Sequence, residues 1–432
     1  MSPIMIGILG FAVLFFLLLV MNVPVGFGMI LVGFAGMAYT TSLDSALGFL
    51  GRQVFTVAAS YDIAMVAMFI FMGEFAFSTG MGEKAFLSAQ KILGRLRGSL
   101  AMSSICACAA FAAVCGSSPA TAATIGSMAL PEMKRHGYND SLATGCIAAG
   151  GTLGILIPPS LGFILFGILT EQSIAKLYLA GIVPGALLAL LFMVTSYIFA
   201  IYKKPTLPTK ATSIVEKLAA LKGLIDIVVL FVVVIGGMGM GFFTPTAAGA
   251  IGSFGILVIS LVKRTFTWKK FLHALSLSAA TVGMMVILFV GAMIFNYFLA
   301  ATTLPFQLGG IIERLAVPPI VTVIAILLMW FVLGCVMDSI GMIILTLPIV
   351  YPIVVRLNYD LIWFSVLGVI AIETGLITPP VGMNAYIIKG IATDVPVGKI
   401  FAGIIPYFIA LILCAVLILI FPQIALFLPG KL

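Results

Sequence analysis

Long apolar stretches separated by short polar or basic segments run the length of the chain, residues 4–20, 227–239 and 407–420 among them. About 20 apolar residues in helical conformation cross the ~30 Å hydrocarbon layer of a bilayer, so the pattern predicts an all-α polytopic membrane protein. In the first half, spans are expected near residues 4–20, 24–40, 59–80, 141–169 and 177–201. The first run has no basic leader and no clear small-residue cleavage site, which marks it as a retained helix rather than a signal peptide. Residues 99–133 are also apolar but are interrupted by Cys115-Gly116-Ser117-Ser118-Pro119, and each arm is shorter than a standard span. They are expected to form a re-entrant hairpin. The second half repeats the order, with spans near 224–242, 245–262, 277–301, 361–388 and 400–425 and a hairpin near 317–354.

The repetition extends to individual residues. A single ungapped shift of 221 places Pro24 on Pro245, Gly28 on Gly249, Ser118 on Ser339, Pro131 on Pro352, Gly154 on Gly375 and Pro158-Pro159 on Pro379-Pro380. One offset that divides the chain near its midpoint is the mark of duplication. The expected units are residues 1–211, with hairpin 99–133 and broken helix 141–169, and residues 212–432, with hairpin 317–354 and broken helix 361–388. Five crossings per half would turn the second copy upside down, an inverted-topology repeat of the kind secondary transporters use.

Composition and charge sharpen this picture. The chain is 62% hydrophobic and 8% charged, against about 25% charged for an average soluble protein, which excludes a water-soluble globule. The net charge of +8 does not point to nucleic acid, because Lys and Arg sit in short clusters between spans, where they act as topology signals. With the amino terminus outside, seventeen of the 22 basic residues fall on the cytoplasmic side and five (Arg52, Lys176, Arg314, Arg356, Lys431) on the other. Both termini are then expected on the outer face. The cytoplasmic set includes Arg95, Lys204 and Lys210. Residues 82–97 mix basic residues with apolar ones at helical spacing and are expected to lie along the interface; residues 202–212 are expected to link the halves. The six cysteines lie in apolar stretches and the two histidines stand far apart, so no metal-ligand spacing is visible. No GxxxxGK[ST] phosphate loop occurs, which leaves an ion gradient or another subunit as the energy source.

Candidate chemistry gathers where helices break. Non-helical backbone at membrane depth is costly unless it is buried or lines a cavity. Four interruptions meet that description: the tips at Gly116-Ser117-Ser118-Pro119 and Gly334-Cys335-Val336-Met337-Asp338-Ser339, and the breaks ending in Pro158-Pro159 and Pro379-Pro380. Ser118 is suited to cap a helix with Pro119 in its first turn, and Asp338 or Ser339 to cap the second copy. Carbonyls freed before each double proline, with the tip hydroxyls, are hard oxygen ligands for a small cation such as sodium, and helix amino ends favour an anion. Each tip and break pair is therefore expected to hold one cation, with an anion position between the two sites. Thr121 and Asn384, downstream of a tip and a break, are candidates to line that cavity, and polar residues facing neighbouring helices are equally common. Glu373, just before the second break, is placed to orient it, and Glu74 is assigned no role.

The GSSPATAATIG tip, the GTLGILIPP break, the DSIGMIILTLPI tip and the ETGLITPPVGMN break together closely resemble the large membrane subunit of tripartite ATP-independent periplasmic (TRAP) transporters, over essentially the whole chain. The resemblance implies a sodium-coupled, elevator-type importer of organic acids in a bacterial inner membrane, with a small four-helix membrane subunit and a soluble periplasmic substrate-binding protein as partners. It implies a first sodium site at Ser117, Ser118, Gly154, Ile157 and Pro159, and a second at Asp338, Ser339, Gly375, Thr378 and Pro380. Ser118, Thr121, Ser339 and Asn384 are the candidate substrate contacts. A stand-alone sodium and dicarboxylate symporter with similar paired hairpins is the alternative within transport. An intramembrane enzyme would need a Ser-His pair, a metal cluster or an aspartate dyad, and the spans contain none.

Overall fold

The computed structural model describes residues 2–94, 96–203, 213–307, 310 and 317–431, which are helical with no strand among them. Arg95, Lys204, Lys210, Arg314 and most of the expected linker at 202–212 lie outside the described residues. The first half runs α1 (Pro3–Leu19), α2 (Val25–Thr40), α3 (Leu43–Ala58), α4 (Tyr61–Ser78), α5 (Met81–Leu93), α6 (Ser99–Cys115), α7 (Ser118–Arg135), α8 (Asp140–Gly151), α9 (Leu153–Leu156), α10 (Leu161–Thr170) and α11 (Ile174–Lys203). The second runs α12 (Ile214–Leu221), α13 (Ile225–Phe231), a π turn (Val232–Gly236), α14 (Gly237–Gly239), α15 (Pro245–Val262), α16 (Trp268–Ala301), α17 (Pro319–Gly334), α18 (Ser339–Arg356), α19 (Leu361–Leu376), α20 (Met383–Ile391), α21 (Val397–Ile420) and α22 (Gln423–Leu426).

Helix starts follow local capping chemistry. Ser60, Asn139, Thr244 and Asp360 each occupy an N-cap and accept from a backbone amide in the first turn of α4, α8, α15 and α19, satisfying donors that lipid could not. Among the described residues seven helices are long and apolar enough to cross a bilayer, or eight if the pair 215–221 and 225–239, bent by 41°, counts as one. This is a multi-pass membrane protein.

The hairpin arms have 17 and 18 residues in the first half and 16 and 18 in the second, just under the ~20 of a standard span, although α18 is long and apolar enough to count as a candidate span. What marks the hairpins is the abrupt joint between two helices that pack on each other, α6 with α7 and α17 with α18. Helix α3 was not expected, because Asp44, Arg52 and Gln53 interrupt its apolar run; it is amphipathic and exposes Leu43, Leu47, Val54 and Phe55. The span expected at 277–301 begins at Trp268, so the counterparts of α3 and α4 form one 34-residue helix.

The two halves interlock reciprocally. Helix α2 packs on α16 while its counterpart α15 packs on α4; α10 packs on α18 while α20 packs on α7. Small residues permit the closest approaches, as they do between helices in membranes. A Cβ on Gly291 would meet the Gly26 carbonyl, and one on Gly33 would meet the Phe295 backbone. Two ion pairs join the halves: Lys134 Nζ is 2.5 Å from Asp394 and Lys399 Nζ is 3.4 Å from Asp140. The Lys134 ammonium beside Asp394 holds its carboxyl below the usual carboxylate range.

Candidate functional site

The first tip is a turn of two residues. Gly116 closes α6 at φ +68°, a left-handed conformation that glycine adopts without steric cost. Ser117 is extended and caps α7, its Oγ accepting from the Ala120 amide at 3.5 Å. The expected cap was Ser118, so the register moves by one residue. The consequence is chemical, because Ser118 at the first helical position is released from capping and its hydroxyl is free to bond elsewhere. At the second tip Asp338, the counterpart of Ser117, caps α18 and its Oδ2 accepts from the Gly341 amide at 2.9 Å.

Each break is latched to the tip of its own half. The Leu161 amide donates to the Gly116 carbonyl at 3.3 Å, and the Val381 amide donates to the Cys335 carbonyl at 3.1 Å. Glycine is required at both junctions: a Cβ on Gly154 would collide with the Ser117 carbonyl, and one on Gly375 with the Phe331 carbonyl and the Gly334 backbone. Carbonyls freed by the double prolines are partly reclaimed locally. The Ser160 hydroxyl bonds the Ile155 carbonyl, and Thr378 returns its amide to Gly375 and its hydroxyl to Thr374. Ser117, Ser118, Gly154, Ile157 and Pro159 thus belong to one tip-and-break junction, and Asp338, Ser339, Gly375, Thr378 and Pro380 to the other. Hydroxyl and carbonyl oxygens at both, with the Asp338 carboxylate at the second, suit a hard cation.

The junctions meet. The Ser118 hydroxyl donates to Glu373 Oε2 at 2.6 Å and the Ser339 hydroxyl donates to Oε1 of the same carboxylate at 3.0 Å. Glu373 is 1% exposed. Beside this contact lies a cavity of about 530 Å³, lined by Cys115 to Ala120 of the first tip, Asp338 to Ile340 of the second, Glu74 of α4, Thr281 and Met284 of α16, and apolar residues including Ile70 and Phe77. Sequence reasoning placed Glu373 at the break but missed its partners, one of which lies 255 residues away. It also gave no role to Glu74, which lines the cavity.

Two candidate lining residues are elsewhere. Thr121 and Asn384 are fully buried and do not border the cavity. Thr121 sits a turn into α7, facing Gly154, and Asn384 donates to the Ala148 carbonyl at 3.3 Å, next to Gly151 of α8. Thr121 Oγ1 and Asn384 Oδ1 have no hydrogen-bond partner among the described residues.

A multi-pass helical protein whose interior cavity is walled by broken backbone is built as a membrane transporter. The family profile for the tripartite ATP-independent periplasmic transporter, DctM component, matches residues 12–424, and the chain belongs to that family. It is 32% identical over 383 residues to the C4-dicarboxylate TRAP transporter large permease protein DctM of Pseudomonas aeruginosa, covering 88% of this chain and 89% of that one. It is 29% identical to the sialic acid TRAP transporter large permease protein SiaM of Vibrio cholerae, covering 95% and 96%. Among solved structures, the Alcanivorax borkumensis YdaH transporter shares the fold at a TM-score of 0.61 with 15% identity, covering 88% and 89%. The chain is a transporter permease and not an enzyme.

Proposed function

We propose that this chain is the sodium-coupled membrane subunit that imports organic acid anions across the bacterial inner membrane. It works beside a small four-helix membrane subunit and receives its substrate from a periplasmic substrate-binding protein. The observation that carries the reading is the convergence of both tips on one cavity and one carboxylate. Sodium is bound as a co-substrate by the oxygen sets at the two junctions. The organic anion occupies the cavity between them, where the amino ends of α7 and α18 present amides to its carboxylate. Among the described residues no Lys, Arg or His borders the cavity, while Glu74 and Asp338 do. Bound sodium therefore supplies the positive charge that makes anion binding favourable, and this couples the two cargoes. The relatives named above carry C4-dicarboxylate and sialic acid in their names; both are organic acids, which sets the substrate class here.

The reciprocal packing of α2 on α16 and α15 on α4 supports two inverted repeats that meet around the site. Hairpins and broken helices move as the elevator, and α1–α5 with α12–α16 form the scaffold. The test is uptake of labelled organic acids into proteoliposomes holding both membrane subunits, with receptor outside. An inward sodium gradient should drive accumulation and a potassium gradient should not; equal uptake under both would contradict sodium coupling.

A further inference from the structure

Ser118 and Ser339 occupy equivalent positions in the repeat, but the carboxylate that receives both hydroxyls occurs once. The residue equivalent to Glu373 in the first half is Thr152 (373 less 221), and Thr152 bonds the Ala149 carbonyl of its own helix at 2.6 Å. The tips therefore share one acceptor, held by α19 within a turn of the second break. We propose that Glu373 is a positioning residue that couples the two ion sites by fixing both tip hydroxyls at once.

The physical case rests on hydroxyl geometry. A serine hydroxyl has one proton and two acceptor lone pairs, and an unconstrained one rotates to suit its neighbours. Several serines within the helices settle that choice by donating to a carbonyl four residues back, as Ser103 does to Ser99 and Ser278 to Ala274. At the first helical position no helical carbonyl precedes the residue, so Ser118 and Ser339 lack that option. Donation to Glu373 takes the proton of each and leaves the lone pairs of each oxygen directed away from the carboxylate, ready for a cation. Partners that orient a ligand from behind raise its basicity and are needed for affinity. Because both serines bond the two oxygens of one rigid carboxylate, an ion that pulls one tip into place also sets the other. Glu373 does not border the cavity, so it acts through the serines and not on the substrate.

This inference rests on the sodium reading above, and one experiment separates the two. The melting temperature of the purified full-length chain is followed against sodium chloride, with choline chloride holding ionic strength constant. Wild type should be stabilised by sodium with the steepness of two coupled ions. Glu373→Gln, whose amide accepts from only one serine, should raise the half-effect concentration about tenfold and reduce the steepness towards one ion. In a Ser118→Ala/Ser339→Ala background the same substitution should cost less than about threefold, because the groups it acts through are gone. Equal cost in both backgrounds, or unchanged steepness, overturns the role of Glu373 alone. A wild-type chain unmoved by sodium overturns the sodium reading, and this inference with it. If Glu373→Gln does not fold, Glu373→Asp, one methylene too short to span both serines, replaces it and should give the same pattern at smaller amplitude.

Discussion

The two tips perform the same local task with different chemistry. Ser117 caps α7 through a neutral hydroxyl at 3.5 Å, after a left-handed Gly116. Asp338 caps α18 through a carboxylate at 2.9 Å, after a turn with no glycine at that position. One Asp338 oxygen is spent on the Gly341 amide, and its carboxylate also borders the cavity. The capping role is thus kept while the turn before it and the charge of the cap diverge: a cation at the second junction meets the Asp338 carboxylate directly, and one at the first meets hydroxyls and carbonyls, with the Glu373 carboxylate behind Ser118. Coulomb attraction at short range in a partly dry site exceeds that of a hydroxyl dipole, so the second site should bind more tightly.

The largest effects should come where the halves are alike. Gly154→Val and Gly375→Val each drive a side chain into tip backbone, a kind of overpacking that costs about 1–3 kcal/mol in stability and here also displaces ion ligands. Both should abolish sodium-driven uptake in proteoliposomes; survival of one would mean that only one junction is used. The next effect separates the tips. Asp338→Asn keeps the cap, since Asn and Asp cap comparably, but removes the charge. It should raise the sodium concentration for half-maximal uptake roughly 10- to 100-fold, whereas Ser117→Ala should raise it by about tenfold or less. Equal shifts would erase the distinction between charged and neutral sites. A smaller effect is expected of Glu74→Ala, which removes a carboxylate outside both junctions: its sodium dependence should shift by less than about threefold, well below that of Asp338→Ala.

The smallest effect is at the surface, where Asp394→Asn removes the partner of Lys134. A carboxyl held below its ordinary value of 3.8 by a cation contributes stability that is complete above that value and is lost as pH falls through the depressed one. The variant should therefore melt slightly below wild type at neutral pH. The difference should disappear in acid below the carboxylate range; a difference that persists there would mean the pair is not its source.

The pattern of apolar runs was enough to locate the joints between α6 and α7 and between α17 and α18, and both double-proline breaks, within a few residues, because Gly, Ser and Pro inside apolar runs have few alternative uses. Two features resisted. Helix α3 is interrupted by polar residues, so a search for long apolar runs passes over it. The joint between α3 and α4 is also invisible in the repeat: Ser60 caps α4, whereas Thr281, its counterpart, bonds the Leu277 carbonyl inside a continuous α16. Within the site, identity was legible and partnership was not. Ser118, Asp338 and Glu373 could each be singled out from local motifs, but contacts between residues 255 apart depend on how the halves dock. For Thr121 and Asn384 the choice between lining the cavity and facing neighbouring helices stayed open for the related reason that helical phase about a break cannot be carried through an irregular turn.

Opposed orientation of the halves is tested most directly at a pair of equivalent residues, Arg135 at the end of α7 and Arg356 at the end of α18 (135 plus 221). Each is replaced by cysteine in a chain whose six native cysteines have been removed, and labelled with a membrane-impermeant maleimide in sealed vesicles of known orientation. Inverted repeats predict that Arg135→Cys labels only from the cytoplasmic face and Arg356→Cys only from the opposite face. Labelling of both from one face would contradict the arrangement on which the paired sites depend.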